Sequence, residues 1–313
     1  RLSRNLKMSI TPSLPVSEEK INKYGIRYLA RYRMPYLFLA PTVVLVLLFL
    51  VLPIISGIVI SFQQTTLSGE TSFVGFDNFK LLFREERFLN NLRLSLIYVL
   101  GNLVLSVPLA YFAAILITSP EMRGISIFRA IFLLPFITAP VVSSVIFLSL
   151  TDASSGPITL LLQQITGTRP VILADPNLAM WTVIIHSFWR SFSFIMLFLA
   201  AGIATVPTEL YEAARVDGAS SWHLFSKITF PLTKIHLALS MLIITMWTLQ
   251  DAETVYALTR GGPGYSTEVL AVRLFKDAFV NFNLNLGAAI GIILLIISIL
   301  FMIIYLRLMR VET

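Results

Sequence analysis

Charged residues are separated by long uncharged runs along this chain. No Asp, Glu, Lys or Arg lies between Arg33 and Glu70, Arg93 and Glu121, Arg129 and Asp152, Lys234 and Asp251, or Asp277 and Arg307. Only Arg190 interrupts the run from Asp175 to Glu209. About 20 apolar residues in a helix cross a bilayer core of about 30 Å. Backbone groups in lipid must be satisfied internally, so uncharged runs of this length are expected to be helices. The pattern predicts an all-α polytopic membrane protein with six transmembrane helices, near 36–62, 92–118, 126–150, 178–203, 236–258 and 284–308. The first run is too long for a cleavable signal peptide and lacks a small-residue cleavage site after it, so it is read as a span. Pro41, Pro53, Pro108, Pro135 and Pro140 fall inside spans. They stand either for packing irregularities or for hinges.

Composition agrees. Of 313 residues, 56% are hydrophobic and 13% charged, about half the charge density of a soluble domain. The absence of cysteine excludes a disulfide scaffold, a thiolate zinc site and a Cys nucleophile. The net charge of +7 is explained by topology and not by nucleic-acid binding. With the N-terminus inside, fifteen Lys and Arg fall in inner segments, eight of them within 1–33, and eight fall in outer segments. The excess favours both termini in the cytoplasm. Residues 1–16 carry no periodicity and are expected to be disordered. Ser17-Glu18-Glu19 reads as a helix start, and Lys20 to Arg33 as either an interfacial helix or a basic flank. The organisation is thus a basic segment, 1–33, and a transmembrane domain, 34–313.

No chemistry of its own is apparent. No lysine follows a glycine, so a phosphate-binding loop is missing. His186, His223 and His236 lack metal-ligand spacing, and no serine sits in a nucleophile elbow. Gly261-Gly262-Pro263-Gly264 reads as a turn. Energy for any work is expected to enter from a partner.

The inner loop 205–234 is patterned. Pro207-Thr208 opens a helix that Gly218 stops. Ser220 or Ser221 caps a second short helix, which Pro231 is expected to end. The run Glu212-Ala213-Ala214, then Gly218, Ile228 and Pro231, matches the Glu-Ala-Ala loop of the membrane subunits of binding-protein-dependent ABC importers. Phe230 stands where the family pattern has Leu. The string Tyr211 to Ala219 resembles the sugar-importing branch, of the maltose and glycerol-phosphate permease type. So do Pro35 to Pro41, Phe73 to Phe79, Asp175-Pro176-Asn177 and Leu258 to Thr267.

The resemblance implies an importer permease fold whose loop is a coupling helix, with Glu212, Ala213, Ala214, Asp217 and Gly218 docking on a cytoplasmic ATPase. It implies a second homologous permease subunit, two ATP-binding cassette subunits that hold the ATP and magnesium, and an extracytoplasmic solute-binding protein. The chain itself is then not an enzyme and carries no cofactor. A self-sufficient secondary transporter or channel is the alternative.

A charge at mid-membrane usually faces a cavity or a partner. Arg190 shares a helical face with Ser187, Ser191 and Phe194, and Trp247, Thr248 and Asp251 share a face of the fifth span. Counted at about 1.5 Å per residue from the inner ends of their spans, Arg190 and Asp251 both lie roughly 20 Å deep and can meet. Glu253 is about 200° round from Asp251 on an unbroken helix and is expected to point elsewhere. The resemblance places substrate contacts at Ser187, Arg190, Ser191, Phe194, Trp247, Thr248 and Asp251, with a carbohydrate as substrate. Arg190 and Asp251 depart from the neutral amides and apolar residues of the family. Arg190 and Asp251 therefore form either a pair that only holds two spans together or a site, and the sugar is either neutral or anionic.

Overall fold

The computed structural model describes residues 33–66, 68–119 and 125–310. The basic segment up to residue 32, with its expected interfacial helix, lies outside them. The chain divides into two units at Ser56–Gly57. Among the described residues five helices are long and apolar enough to cross a membrane, and a bent pair makes a sixth if its two halves form one span. These are α1 (Tyr36–Ser61), α3 (Glu86–Thr118), the pair α4 (Ile125–Ile137) and α5 (Pro140–Leu150), α7 (Pro176–Ala204), α9 (Ser221–Leu249) and α12 (Leu284–Arg310). Shorter helices are α2 (Asp77–Arg84), α6 (Pro157–Thr166), α8 (Thr208–Val216), α10 (Ala252–Thr259) and α11 (Leu270–Phe275). A small antiparallel hairpin, β1 (Gln63–Thr65) and β2 (Thr71–Phe73), follows α1.

In α1 a π turn at Leu47–Val51 precedes Pro53, and the Leu52 N–H reaches back to the Leu47 carbonyl. A widened turn here accommodates a residue that cannot donate and whose ring crowds the preceding turn.

Three expectations are corrected. The third crossing is not one helix: α4 and α5 meet at 97°. Ala139, which precedes Pro140, is extended (φ −59°, ψ 140°), because proline disfavours the helical conformation in the residue before it. The fifth crossing does not run 236–258. It begins at Ser221 in the inner loop and stops at Leu249, and Asp251 (φ −76°, ψ 77°) starts the separate helix α10. Pro231 does not end the short loop helix. It occupies the first turn of the segment Phe230–Leu249, just after a π turn at Phe225–Thr229, so the helix passes through it unbroken. The widened turn just before it accommodates the missing donor and the ring, as the π turn before Pro53 does.

α3 packs lengthwise on α7. Gly101 makes this approach close, since a β-carbon there would sit 2.9 Å from Ile184 Cδ1. One buried cluster joins Tyr98, Val183, Ile184, Val255, Leu270 and Ile290. Another joins Leu103, Ala110, Ile195, Met196, Leu199 and Ile244. Between them the buried faces carry small polar side chains, the usual means of joining helices where water is absent.

Candidate functional site

A cavity of about 440 Å³ opens between α7 and the junction of α9 with α10. Ser187, Arg190, Ser191, Trp247, Thr248 and Asp251 line it, together with Phe136, Ile244, Gln250 and Glu253. Six of the seven residues expected to contact substrate are thus brought together. Phe194, the seventh, stands behind the wall: its ring lies 4.9 Å from Trp247 and 5.6 Å from Phe136. Phe136 itself stacks on Trp247 at 6.1 Å. Phe136 belongs to α4, and the sequence reading had overlooked it.

Glu253 corrects the reading of the face. It lines the cavity beside Asp251 because the helix is broken at Gln250–Asp251, so the angular count from one residue to the other does not apply. The Asp251 side chain caps α10, with Oδ1 accepting the Thr254 N–H at 2.9 Å. An N-cap aspartate satisfies an otherwise orphaned amide at the helix start.

Arg190 and Asp251 form no ion pair among the described residues. Asp251 Oδ2 accepts instead from the Tyr98 hydroxyl at 2.8 Å. Arg190 Nε is buried without a hydrogen-bond partner among the described residues.

A polar stripe on α3 ties the two walls together. Tyr98, Asn102 and Ser106 recur every four residues and so share one face. Asn102 donates to Thr248 Oγ1 at 2.9 Å, and its carbonyl accepts from Ser191 at 2.7 Å and from Ser106 at 2.9 Å. The Ser106 and Ser191 hydroxyls also meet, at 2.9 Å. The stripe was readable as polar residues four apart in an apolar span.

A second network pins the segment after α10. Glu268, 0% exposed, accepts from Arg87 at 2.8 and 2.9 Å and from Lys276 at 2.7 Å. Asn91 donates to its backbone carbonyl. Burial alone would raise the Glu268 carboxyl, but Arg87 and Lys276 outweigh it and hold the group below the usual range. Arg273 similarly joins Asp277 at 2.6 Å and Glu85 at 3.0 Å.

The Glu-Ala-Ala loop is built as expected at its start. Pro207 precedes α8, and Gly218 follows it in the left-handed region (φ 78°). Ser220 caps α9 by accepting the His223 N–H. No residue of α8 is buried. Glu212, Ala213, Asp217 and Gly218 are exposed, Ala214 is half-buried, and Trp222 is 73% exposed. Glu212 also edges a cavity of about 520 Å³ shared with Arg129, Tyr211 and Arg215. Phe225 anchors the loop on α3, its ring 5.2 Å from Tyr111, and Tyr111 hydrogen-bonds Thr233.

The chain is similar to known transport proteins. It is 35% identical to a probable ABC transporter permease protein of Pyrococcus horikoshii, over 87% of this chain and 95% of that protein. It is 31% identical to the sn-glycerol-3-phosphate transport system permease protein of Agrobacterium fabrum, over 85% of this chain and 91% of that protein. In fold it matches a subunit of a bacterial ABC transporter involved in the import of the acidic polysaccharide alginate. The TM-score is 0.81 at 22% identity, over 92% of this chain and 99% of that one. A family model covers residues 85–311, which hold the cavity, the α3 stripe and the Glu-Ala-Ala loop. The chain therefore belongs to the binding-protein-dependent transport system inner membrane components, a family of multi-pass permease subunits.

Proposed function

We propose that this permease forms half of the pathway of an ATP-driven importer for a carbohydrate carrying negative charge, and that the cargo crosses the cavity at Arg190. The observation that carries the reading is Arg190 itself. Its guanidinium faces a cavity, its Nε has no partner among the described residues, and the acid beside it is held by Tyr98 and Thr254. A planar guanidinium suits a carboxylate or phosphate. Trp247 and Phe136 supply aromatic faces for a sugar ring, and Ser187, Ser191 and Thr248 supply hydroxyls. Pockets of this make-up orient a ligand by a few polar groups on an apolar wall. The similar permease of Agrobacterium fabrum belongs to a system for a phosphate ester.

The exposed α8 and the loop glycine support a docking role for Glu212, Ala213, Ala214, Asp217 and Gly218 on a partner ATPase, which would hold the ATP and magnesium. A second permease subunit would complete the pathway, and a solute-binding protein would deliver the cargo. The Lys and Arg distribution supports both termini inside. It also sets the basic segment 1–33 apart from the transmembrane domain that follows.

Asp251 and Glu253 on the same wall support a second reading, a neutral sugar held by mixed charges. Arg190→Gln in the assembled transporter separates the two. Uptake is scored for acidic and neutral oligosaccharides of similar size. Loss confined to acidic cargo supports the first reading. A wild-type transporter that takes only neutral cargo overturns it.

A further inference from the structure

Tyr98 has no place in the cavity wall, yet it governs a group that has one. It lies on α3, is 0% exposed, and its hydroxyl reaches Asp251 Oδ2 at 2.8 Å. The other carboxylate oxygen is taken by the Thr254 amide at 2.9 Å. Each oxygen thus has a donor other than Arg190, which shares the cavity with them yet forms no ion pair with Asp251 among the described residues. Opposite charges in a site walled by helices attract strongly, and a guanidinium accepts a carboxylate in a matched fork. The separation of these two groups therefore needs a restraint, and the Tyr98 hydroxyl is the side chain placed to supply it.

We propose that Tyr98 is a positioning residue that sets the charge the cargo meets: by tethering Asp251 it keeps the carboxylate off Arg190 and leaves the guanidinium open to an anionic group. The consequence for cargo rests on the reading of Arg190 given above, whereas the tether itself does not. Without the hydroxyl, Oδ2 loses its donor, and the cation on the same wall becomes its partner. The cavity would then present a closed ion pair, with Glu253 as its remaining charge.

The test uses the assembled transporter in lipid nanodiscs and phenylglyoxal, a reagent for accessible guanidinium groups. The rate of modification of Arg190 is read by peptide mass spectrometry. Tyr98→Phe keeps the buried ring and removes only the hydroxyl. It is expected to slow the labelling of Arg190 about tenfold, the scale of one hydrogen bond to a charged group. Adding Asp251→Asn, which still caps α10, is expected to restore the wild-type rate to within about twofold. Labelling of Tyr98→Phe at the wild-type rate overturns the proposal. So does a double variant as slow as Tyr98→Phe, since protection would then come from collapse of the wall and not from Asp251. If Tyr98→Phe does not assemble, Asp251→Asn alone decides. An unchanged rate supports an open Arg190, and a faster one shows that the pair already exists and overturns the proposal. A transporter that carries only neutral sugars would sink the anionic reading while leaving these rates untouched.

Discussion

Arg87 grips Glu268 with two parallel hydrogen bonds, Nε to one carboxylate oxygen at 2.8 Å and a terminal nitrogen to the other at 2.9 Å. The two residues stand 181 positions apart. The pair fastens the segment after α10 to the start of α3. Breaking a buried ion pair from one side leaves an uncompensated charge, at about 3–5 kcal/mol. Glu268 is fully buried, but Lys276 still holds it at 2.7 Å and Arg87 is part-exposed at 29%, so the cost of losing Arg87 falls at or below the lower end of that range. Arg87→Ala is expected to lower the unfolding midpoint of the purified subunit in a thermal melt. Glu268→Gln leaves both Arg87 and Lys276 without their anion and sets an amide donor against theirs, so it is expected to cost more.

The same carboxylate gives a pH dependence. Its folded-state value is depressed, so its contribution is present above the ordinary glutamate value of about 4.3. It is lost as pH falls through the depressed value. Acid melts of the wild type and Glu268→Gln, run downward from pH 6, are expected to begin to converge at about pH 4.3 and to meet only once pH has fallen through the depressed value.

Gly218 is expected to resist substitution for a backbone reason. Its φ of 78° disfavours any residue with a β-carbon, although nothing lies within 4 Å of where that carbon would be. Left-handed geometry costs such residues about 1–2 kcal/mol. Gly218→Val is expected to insert normally and to lose ATP-driven uptake, as read in inverted vesicles and proteoliposomes. Gly218→Asn, which tolerates this region better, should lose less.

Asn102 is the shared partner of Ser106, Ser191 and Thr248. Asn102→Leu strands buried hydroxyls, each at about 1–3 kcal/mol where no new partner is found. The variant is expected to melt earlier and to show a raised KM for cargo, because the two walls of the cavity are no longer held in register. Thr248→Val removes one bond of the set and is expected to fall between it and the wild type.

The spans were legible because lipid imposes one rule on every backbone group, and charge-free runs report it directly. Ser187, Arg190, Ser191, Trp247 and Thr248 were legible as faces because each lies within an unbroken helix. Glu253 was not, because the break at Gln250–Asp251 carries neither proline nor glycine. Its one local trace is Asp251 acting as a cap for Thr254. The bend between α4 and α5 left a clearer trace in Pro135 and Pro140, but single prolines occur in straight spans too, as Pro108 does within α3. Phe136 and Tyr98 were missed for a different reason. Their contacts join residues far apart in the chain, and periodicity along one helix carries no information about what another helix brings to it.

The course of α9 from Ser221 to Leu249 has a mechanical meaning. Its π turn at Phe225–Thr229, just before Pro231, is a place to bend, and the straight stretch beyond is a lever. Trp247 stands 16 residues beyond Pro231 along it, roughly 24 Å at about 1.5 Å per residue. Tilting that stretch about the π turn by roughly 10° carries the indole sideways by roughly 4 Å at that length. The break after Leu249 spares α10 the same sweep, because Asp251 starts a new axis. A push on the Glu-Ala-Ala loop carried along α9 would therefore move the aromatic wall past the acidic one.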